Sequence, residues 1–594
     1  MTSLQLFQLF SASTAYFRVT LVSVVLIPLL STFQAVAQQA PETYNAPILS
    51  GPQKARLTPT ESANLGNDPT PFGVRLSKIV LVDERNQGRR IKSRRDVSGV
   101  KTIGLGSELA PNHLEVSLAP FLGRELSFRM ITEIQTAVVV HYRQQNRPLV
   151  SVTIPPQEIS DGGLQINILT FVAAQIVVES NSKGTDNFIS DQIRLSEGQQ
   201  IDSSRLEADL NWLSLNPYRD IDAIFEPGSV YGATDLVLRA NERRPWSAYV
   251  GAANTGTRST GQNRMFAGFN TATLPWHDHQ LSYLFVANPE SLGDGDVFSV
   301  SRSQAYLSHS LTYFAPLTFD NGRRAKLTIK GSYVSDNAEL DSFFASQKDY
   351  LIMSGELAFP LAGRLHETVV WPEVFGRIEA KREDRDTLFN GIPVFAGRTK
   401  LTQLVLGYRG RYSCSLWGNA ANGSAEMRLA MGRYDTNVGL SDTYAYAGLS
   451  VQHASTLSGG ASVVARLTGQ YANNALPDLE RLGLGGAGTV RGYETSEVST
   501  NSGLALSVEL RGTDLLKNVS TAQTRLNPFA FVDYGFAQAT LLRPNITLAS
   551  VGVGLQLDFA NSFSATLQAA RALRTGLFTQ KGDYRIHFNI VARF

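Results

Sequence analysis

Several groups of residues in this chain have types and spacings that suit chemistry, and each also has a plainer reading. Residues 483–488 spell G-x-G-x-x-G through Gly483, Gly485 and Gly488, a spacing that cradles a diphosphate when it follows a strand and opens a helix. No strand-then-helix pattern surrounds it, so the glycines read as a loop whose backbone passes close to its surroundings. His277 and His279 would share one face of a strand and suggest a metal pair, but no third ligand is evident. They read as part of a polar hairpin. Gly293-Asp294-Gly295-Asp296 offers carboxylates to calcium, yet the spacing misses an EF-hand and reads as a loop. The basic run Arg89, Arg90, Lys92, Arg94, Arg95 has the charge to touch lipid headgroups, and reads as a solvated loop. Cys414 stands alone, which rules out an intramolecular disulfide and a multi-cysteine metal site; it reads as a buried thiol. No Ser/His/Asp or Asp/His set has supporting context. The residues therefore predict no enzyme, no cofactor and no bound metal.

What positions these residues is a chain of 594 residues, long enough for several units. Hydrophobic residues make up 43% of it, yet mean hydropathy is −0.10 because polar residues are regularly interleaved. That pattern fits a soluble multidomain protein or a membrane β-barrel and argues against a helical membrane protein. A formal net charge of +2 supplies no field to gather nucleic acid, and none is expected as a partner. Arg18 precedes the apolar run Val19 to Leu30, which is too short to span a bilayer as a helix, and Ala35-Val36-Ala37 follows as an A-x-A cleavage triplet. Residues 1–37 are predicted to be a signal peptide cut after Ala37.

Residues 38–72 are rich in Pro, Gln, Thr, Asn and Gly and read as a linker. In residues 73–170, Val74 to Val82 predicts a strand, and Ser127 to Gln144 a helix with Ile131, Ile134, Val138 and Tyr142 on one face. Leu149 to Ile154 and Leu164 to Leu169 predict two further strands around Pro155-Pro156 and Asp161-Gly162-Gly163. Residues 171–243 repeat that grammar. Gln175 to Glu179 predicts a strand, Ser204 to Glu207 a capping box, Leu206, Leu210 and Leu213 a helix face, and Ile221 to Phe225 with Asp235 to Arg239 a pair of strands. Two small α+β units in tandem are expected.

From residue 244 to 594 the period becomes two. Leu327 and Ile329, Val463 and Leu467, and Leu504 and Leu506 hold one parity, while Lys330, Arg466, Ser507 and Glu509 hold the other. About sixteen such segments across ~350 residues predict a sixteen-stranded antiparallel transmembrane barrel. The last of them sets Tyr584, Ile586, Phe588, Ile590, Ala592 and Phe594 on one face. Phe588 and Phe594 are read as its signal for insertion into the outer membrane.

Four passages then resemble the outer-membrane transporters of two-partner secretion, the TpsB (ShlB/FhaC/HecB-like) family within the BamA-like superfamily. Thr153-Ile154-Pro155-Pro156-Gln157 through Asp161-Gly162 resembles a passage of their first POTRA (polypeptide-transport-associated) domain. Glu226-Pro227-Gly228 through Thr234-Asp235-Leu236 to Trp246 resembles the second POTRA domain running into the first barrel strand. Val490, Arg491, Gly492 and Tyr493 match the tip of the family's long sixth loop, residues 472–500 here. Phe531, Asp533 and Gly535 match the strand that receives the tip.

The resemblance implies POTRA domains at 73–170 and 171–243 in the periplasm of a Gram-negative cell, and a barrel that secretes a large unfolded exoprotein without ATP. It implies a TpsA-like client as partner, periplasmic chaperones and barrel-assembly machinery during biogenesis, and outer-membrane lipid around the barrel. The family's plug helix has no convincing counterpart in the Pro-rich 38–72. Because the loop folds inward in the family and odd positions of the receiving strand should face the lumen, Arg491 is expected to grip Asp533, with Glu509 as a second candidate. The alternative is an outer-membrane assembly factor like TamA or BamA. A barrel protease or phospholipase and a passive porin or receptor are further readings.

Overall fold

The structure is a computed structural model that describes residues 57–58, 68–86, 99–105, 111–182, 184–293, 296–300, 302–340, 342–361, 364–365, 368–416, 419–437, 439, 441–517, 523–538, 544–560 and 562–594. The signal segment with Ala35 and Ala37, the basic run Arg89 to Arg95, and Asp294-Gly295 lie outside these residues. One unit ends at Pro245 and another begins at Trp246.

The unit ending at Pro245 is built on two four-stranded sheets. Its first half runs β1 (Lys78–Asp83), β2 (Gly99–Ile103), α1 (Pro111–Leu118), α2 (Phe128–Gln144), β3 (Val150–Thr153) and β4 (Gly163–Thr170). The sheet order is β2-β1-β4-β3, with β1 parallel to both neighbours and β3 antiparallel to β4. Ser127 caps α2 by accepting the Met130 amide at 3.2 Å, satisfying one of the free donors of the first turn. The predicted face of Ile131, Ile134, Val138 and Tyr142 is buried in one core with sheet residues such as Ile79, Leu81, Leu164 and Ile166.

The second half runs β5 (Val172–Ser180), α3 (Thr185–Asp191), α4 (Ser203–Leu213), β6 (Arg219–Pro227) and β7 (Ala233–Glu242). β5 is parallel to β7 and β6 is antiparallel to it. Here the capping residue is Asp202, not Ser204: the Asp202 carboxylate accepts the Arg205 amide at 3.0 Å, while the Ser204 hydroxyl is engaged by Asn146 at 2.8 Å. The linker also differs from expectation in one place, since Leu57–Thr58 pairs in parallel with β6 opposite Ala223 and Ile224.

From Trp246 the chain closes into a barrel of sixteen long antiparallel strands. They are β8 (Trp246–Ala253), β9 (Arg264–Thr271), β10 (Gln280–Ala287), β11 (Ala305–Thr318), β12 (Arg324–Glu339) and β13 (Phe344–Pro360). Then follow β14 (Thr368–Phe389), β15 (Ile392–Leu416), β16 (Asn419–Thr436), β17 (Asp442–Thr456) and β18 (Ser462–Ala472). The last are β19 (Gly503–Arg511), β20 (Thr524–Ala537), β21 (Ile546–Phe559), β22 (Phe563–Ala572) and β23 (Tyr584–Arg593). β23 meets β8 from Asn589↔Ala253 to Arg593↔Tyr249, and the Phe594 amide extends the seam by donating to the Ala248 carbonyl at 2.8 Å. Among the described residues no helix is long and apolar enough to cross a membrane, which says nothing against strands.

The alternation divides the wall as a membrane barrel requires. On β20, Val532 and Tyr534 are exposed on the outside while Asp533 between them is fully buried on the inside. Two smaller expectations are corrected. His277 and His279 lie in the turn between β9 and β10 rather than on a strand, where Pro275 and the positive φ of Asp278 end the extended run. Cys414 is half-buried rather than buried, because it shares the parity of the exposed Leu404 and Leu406 on the outer face of β15.

Candidate functional site

The segment between β18 and β19 turns back into the barrel and is held at several points. It descends through a one-turn helix at Asp478–Glu480, forms a short antiparallel ladder between Leu482–Leu484 and Val498–Thr500, and carries the tip Val490 to Tyr493 between them. The glycines of the G-x-G-x-x-G run shape its turn. Gly485 and Gly486 have φ of +111° and +86°, a region that side-chain-bearing residues rarely adopt. A Cβ on Gly485 would also lie 2.4 Å from the Glu494 carbonyl oxygen on the returning limb. Thr489 Oγ1 closes the turn by accepting the Gly485 amide at 2.8 Å.

At the tip, Arg491 uses every donor it has. Nε and Nη2 grip the two oxygens of Asp533, each at 2.7 Å. Nη2 also donates to Ser507 Oγ at 2.9 Å. Nη1 donates to Glu509 at 3.1 Å and to Gln568 at 3.2 Å. The backbone amide of Arg491 adds a further bond to Asp533 at 3.0 Å. The guanidinium lies over the Phe531 ring, 3.3 Å from its centroid. A planar cation with five directed donors is the only side chain that fits this set of acceptors. Losing one partner of so buried a pair costs about 3–5 kcal/mol, because the other charge is left desolvated.

The receiving strand has a reason for each residue of its pattern. Phe531 supplies the ring beneath the guanidinium, and Asp533 the fork. Gly535 leaves room, since a Cβ there would come 2.8 Å from Val490 Cγ2. Val490 packs with Leu484, Tyr493, Val498 and Leu548 in a buried apolar cluster. Gly492 takes φ +89° against the backbone of β22, where a Cβ would meet Ala570 Cβ at 3.3 Å. The Tyr493 hydroxyl lies 2.7 Å from the Arg574 carbonyl oxygen and 2.9 Å from that of Ala549. Arg491, Asp533, Glu509, Phe531, Gly535, Val490, Gly492 and Tyr493 are thus brought together. Phe588 and Phe594 lie apart from them on β23 and at its end, with Phe594 exposed.

Two anchors escaped sequence reasoning. Glu480, fully buried at the base of the segment, accepts from Lys381 Nζ at 2.5 Å, Tyr446 at 2.8 Å and Gln403 at 3.2 Å. These partners are inward residues of β14, β17 and β15, on the wall away from Asp533. Glu497, on the returning limb, accepts the amides of Phe578 at 2.6 Å and Thr579 at 2.8 Å and the Thr579 hydroxyl at 2.8 Å. Gly576 makes that possible, because a Cβ there would fall 2.3 Å from Glu497 Oε1. The available signal was parity, which sets Lys381 inward and calls for a carboxylate. The segment is therefore stapled to the β14–β17 wall by Glu480 and to the β19–β22 wall by Arg491. Among the described residues there is no group of three metal-capable side chains, and the His279 ring meets Tyr313 at 2.5 Å instead.

A closed barrel of sixteen strands, preceded in the chain by small α+β units and holding a loop stapled across its lumen, defines an outer-membrane transporter of POTRA-barrel type. Residues 376–557 match the family described as haemolysin secretion/activation protein ShlB/FhaC/HecB, and residues 96–170 match the POTRA domain, ShlB-type. The chain is accordingly an outer-membrane transporter of two-partner secretion type, similar over these residues to the ShlB/FhaC/HecB family, whose members are transporters rather than enzymes and work with secreted exoprotein partners. It is 22% identical over 493 residues to the heme/hemopexin transporter protein HuxB of Haemophilus influenzae strain 86-028NP, covering 78% of this chain and 81% of that protein. It is 21% identical over 415 residues to the outer membrane transporter CdiB-2 of Burkholderia pseudomallei, covering 65% of this chain and 63% of that protein. In fold it is similar to CdiB from Escherichia coli, with a TM-score of 0.64 at 16% identity over 90% of this chain and 94% of that one. CdiB from Acinetobacter baumannii gives 0.62 at 17% over 91% and 94%.

Proposed function

We propose that this transporter takes an unfolded exoprotein from the periplasm on its POTRA domains at 73–170 and 171–243 and passes it through the barrel of 244–594 to the cell surface. The signal peptide 1–37 is removed after Ala37, and 38–72 links the mature N-terminus to the first domain. The periplasm holds no ATP, so folding of the client outside supplies direction. The observation that carries this reading is the stapled loop: a segment tied to both walls through a few buried carboxylates narrows the lumen, yet a passing chain can compete for those ties. Open sheet edges such as β3 and β5 offer main-chain groups to an extended client, whatever its sequence. Periplasmic chaperones and the barrel-assembly machinery deliver the barrel itself, and outer-membrane lipid surrounds it.

The test compares polypeptides in the medium of the wild-type strain and of a strain whose chromosomal copy lacks residues 73–170. Heat-modifiable barrel should remain in the outer membrane while one large polypeptide disappears from the medium. Unchanged export by that deletion would refute the docking role.

A further inference from the structure

β14 and β15 run for 22 and 25 residues, about twice the ~9–11 that a tilted strand needs to cross a bilayer. Their hairpin end lies opposite the end that carries Trp246 and Phe594. Outward side chains mark where the lipid stops. Val374, Ile378 and, on β13, Met353 are apolar and exposed. Beyond them Asp384 pairs with Arg382 at 2.6 Å and with Arg398 at 2.5 Å. A row of ion pairs does not face hydrocarbon, so the hairpin beyond Arg382 stands in water.

The inward side changes in the opposite sense. Glu379, Lys381 and Glu383 are buried charged groups of the lumen wall. Above them the same side carries Phe389 and Ile392, paired in register, with Phe344 opposite Phe389 and Phe395 opposite Thr387. Ile392 is 66% exposed and Phe395 50%. The Phe344 and Phe389 rings meet at 5.1 Å. An apolar ledge in water, continuous with a lumen wall, calls for an occupant.

The edge beside it is open. β16 pairs with β15 only from Thr399 onward, so among the described residues Ile392 to Gly397 have a strand neighbour on the β14 side alone. Alternate residues of such an edge turn their N–H and C=O groups outward, ready to template another strand. The usual protection by charge is missing between Ile392 and Gly397. Pro393 removes one donor, next to the turn.

We propose that this ledge and edge receive the first extended segment of the exported polypeptide as it leaves the lumen. The segment adds as a strand beside β15, with alternate apolar side chains on Phe389, Ile392 and Phe395. Continuity with the lumen wall favours that occupant over a second copy of this chain. The proposal rests on the export reading, and its test separates the two.

The probe is the polypeptide that leaves the medium when the transporter gene is deleted. Full-length transporter carrying a photo-crosslinking amino acid at Ile392 should give an adduct with that polypeptide, while the same group at Asp386, on the outward side, should not. Ile392→Ser with Phe395→Ser should slow its appearance in pulse-chase about tenfold, at unchanged heat-modifiable barrel. Equal adducts at both positions, a transporter–transporter adduct at Ile392, or wild-type export by the serine variant would each overturn the ledge. If deleting the gene removes no polypeptide from the medium, the export reading falls and the ledge proposal falls with it.

Discussion

At the scale of single residues, the site turns on the fact that Arg491 has five donors and each finds an acceptor. A lysine there keeps the charge but loses the fork, so Arg491→Lys should behave nearly as badly as Arg491→Ala. Arg491→Ala and Asp533→Ala should each lower export about tenfold or more at near-normal barrel levels, in line with the loss of a buried charge partner. Because each change destroys the same grip, the double variant should be no worse than either single one. Strictly additive losses in that cycle, read as export rate, would mean that the residues act separately. The Arg491–Asp533 contact was legible because strand parity turns Asp533 inward and the resemblance of Val490 to Tyr493 to the family's loop tip brings Arg491 into the lumen to meet it. Glu480 and Glu497 were not. They sit on a one-turn helix and a tight turn, where no period tells inside from outside, and their partners are 34 to 99 residues distant in sequence.

At the scale of elements, the long strands announced themselves and the short ones did not. An alternation sustained over eight residues or more, repeated strand after strand, has few competing explanations, which is why the barrel strands could be counted from sequence. α1 has 8 residues and α3 has 7, about two turns each, too few for a face to stand out. Leu57–Thr58 joins β6 by main-chain pairing, which leaves no mark on side-chain type. The final strand illustrates what an element must do beyond pairing. Its outward row ends on Phe594, whose amide and carbonyl both bond Ala248 at the seam where the barrel closes. Phe594→Ser keeps those backbone bonds and removes only the exposed ring. Quantitative immunoblotting of outer-membrane fractions should show abundance reduced about tenfold, with the remainder degraded in the periplasm. Undiminished abundance would place the insertion signal on other strands.

At the scale of the whole barrel, the two staples act on one loop from different walls, and this sets what each can do alone. If Arg491 is released, Glu480 still ties the base to Lys381, Tyr446 and Gln403. If Lys381 is replaced, the tip remains gripped by Asp533 and Glu509. Each tie contributes roughly 3–5 kcal/mol against loss of one partner, which shifts the local release equilibrium by a factor on the order of 10² to 10³. A loop held twice should therefore leave the lumen rarely after one change and readily after both. In planar bilayers, Lys381→Met and Arg491→Ala should each add brief openings to the wild-type current. Their combination should give long-lived openings of about twofold or greater conductance, since the charged ties of the segment that narrows the lumen are then broken at both base and tip. Glu497 would still tie the returning limb to the 573–583 loop, so the freed segment should fluctuate about that point and the open current should be noisy. A double variant whose conductance and noise match the wild type would show that apolar packing around Val490 and Tyr493 holds the loop without the charges.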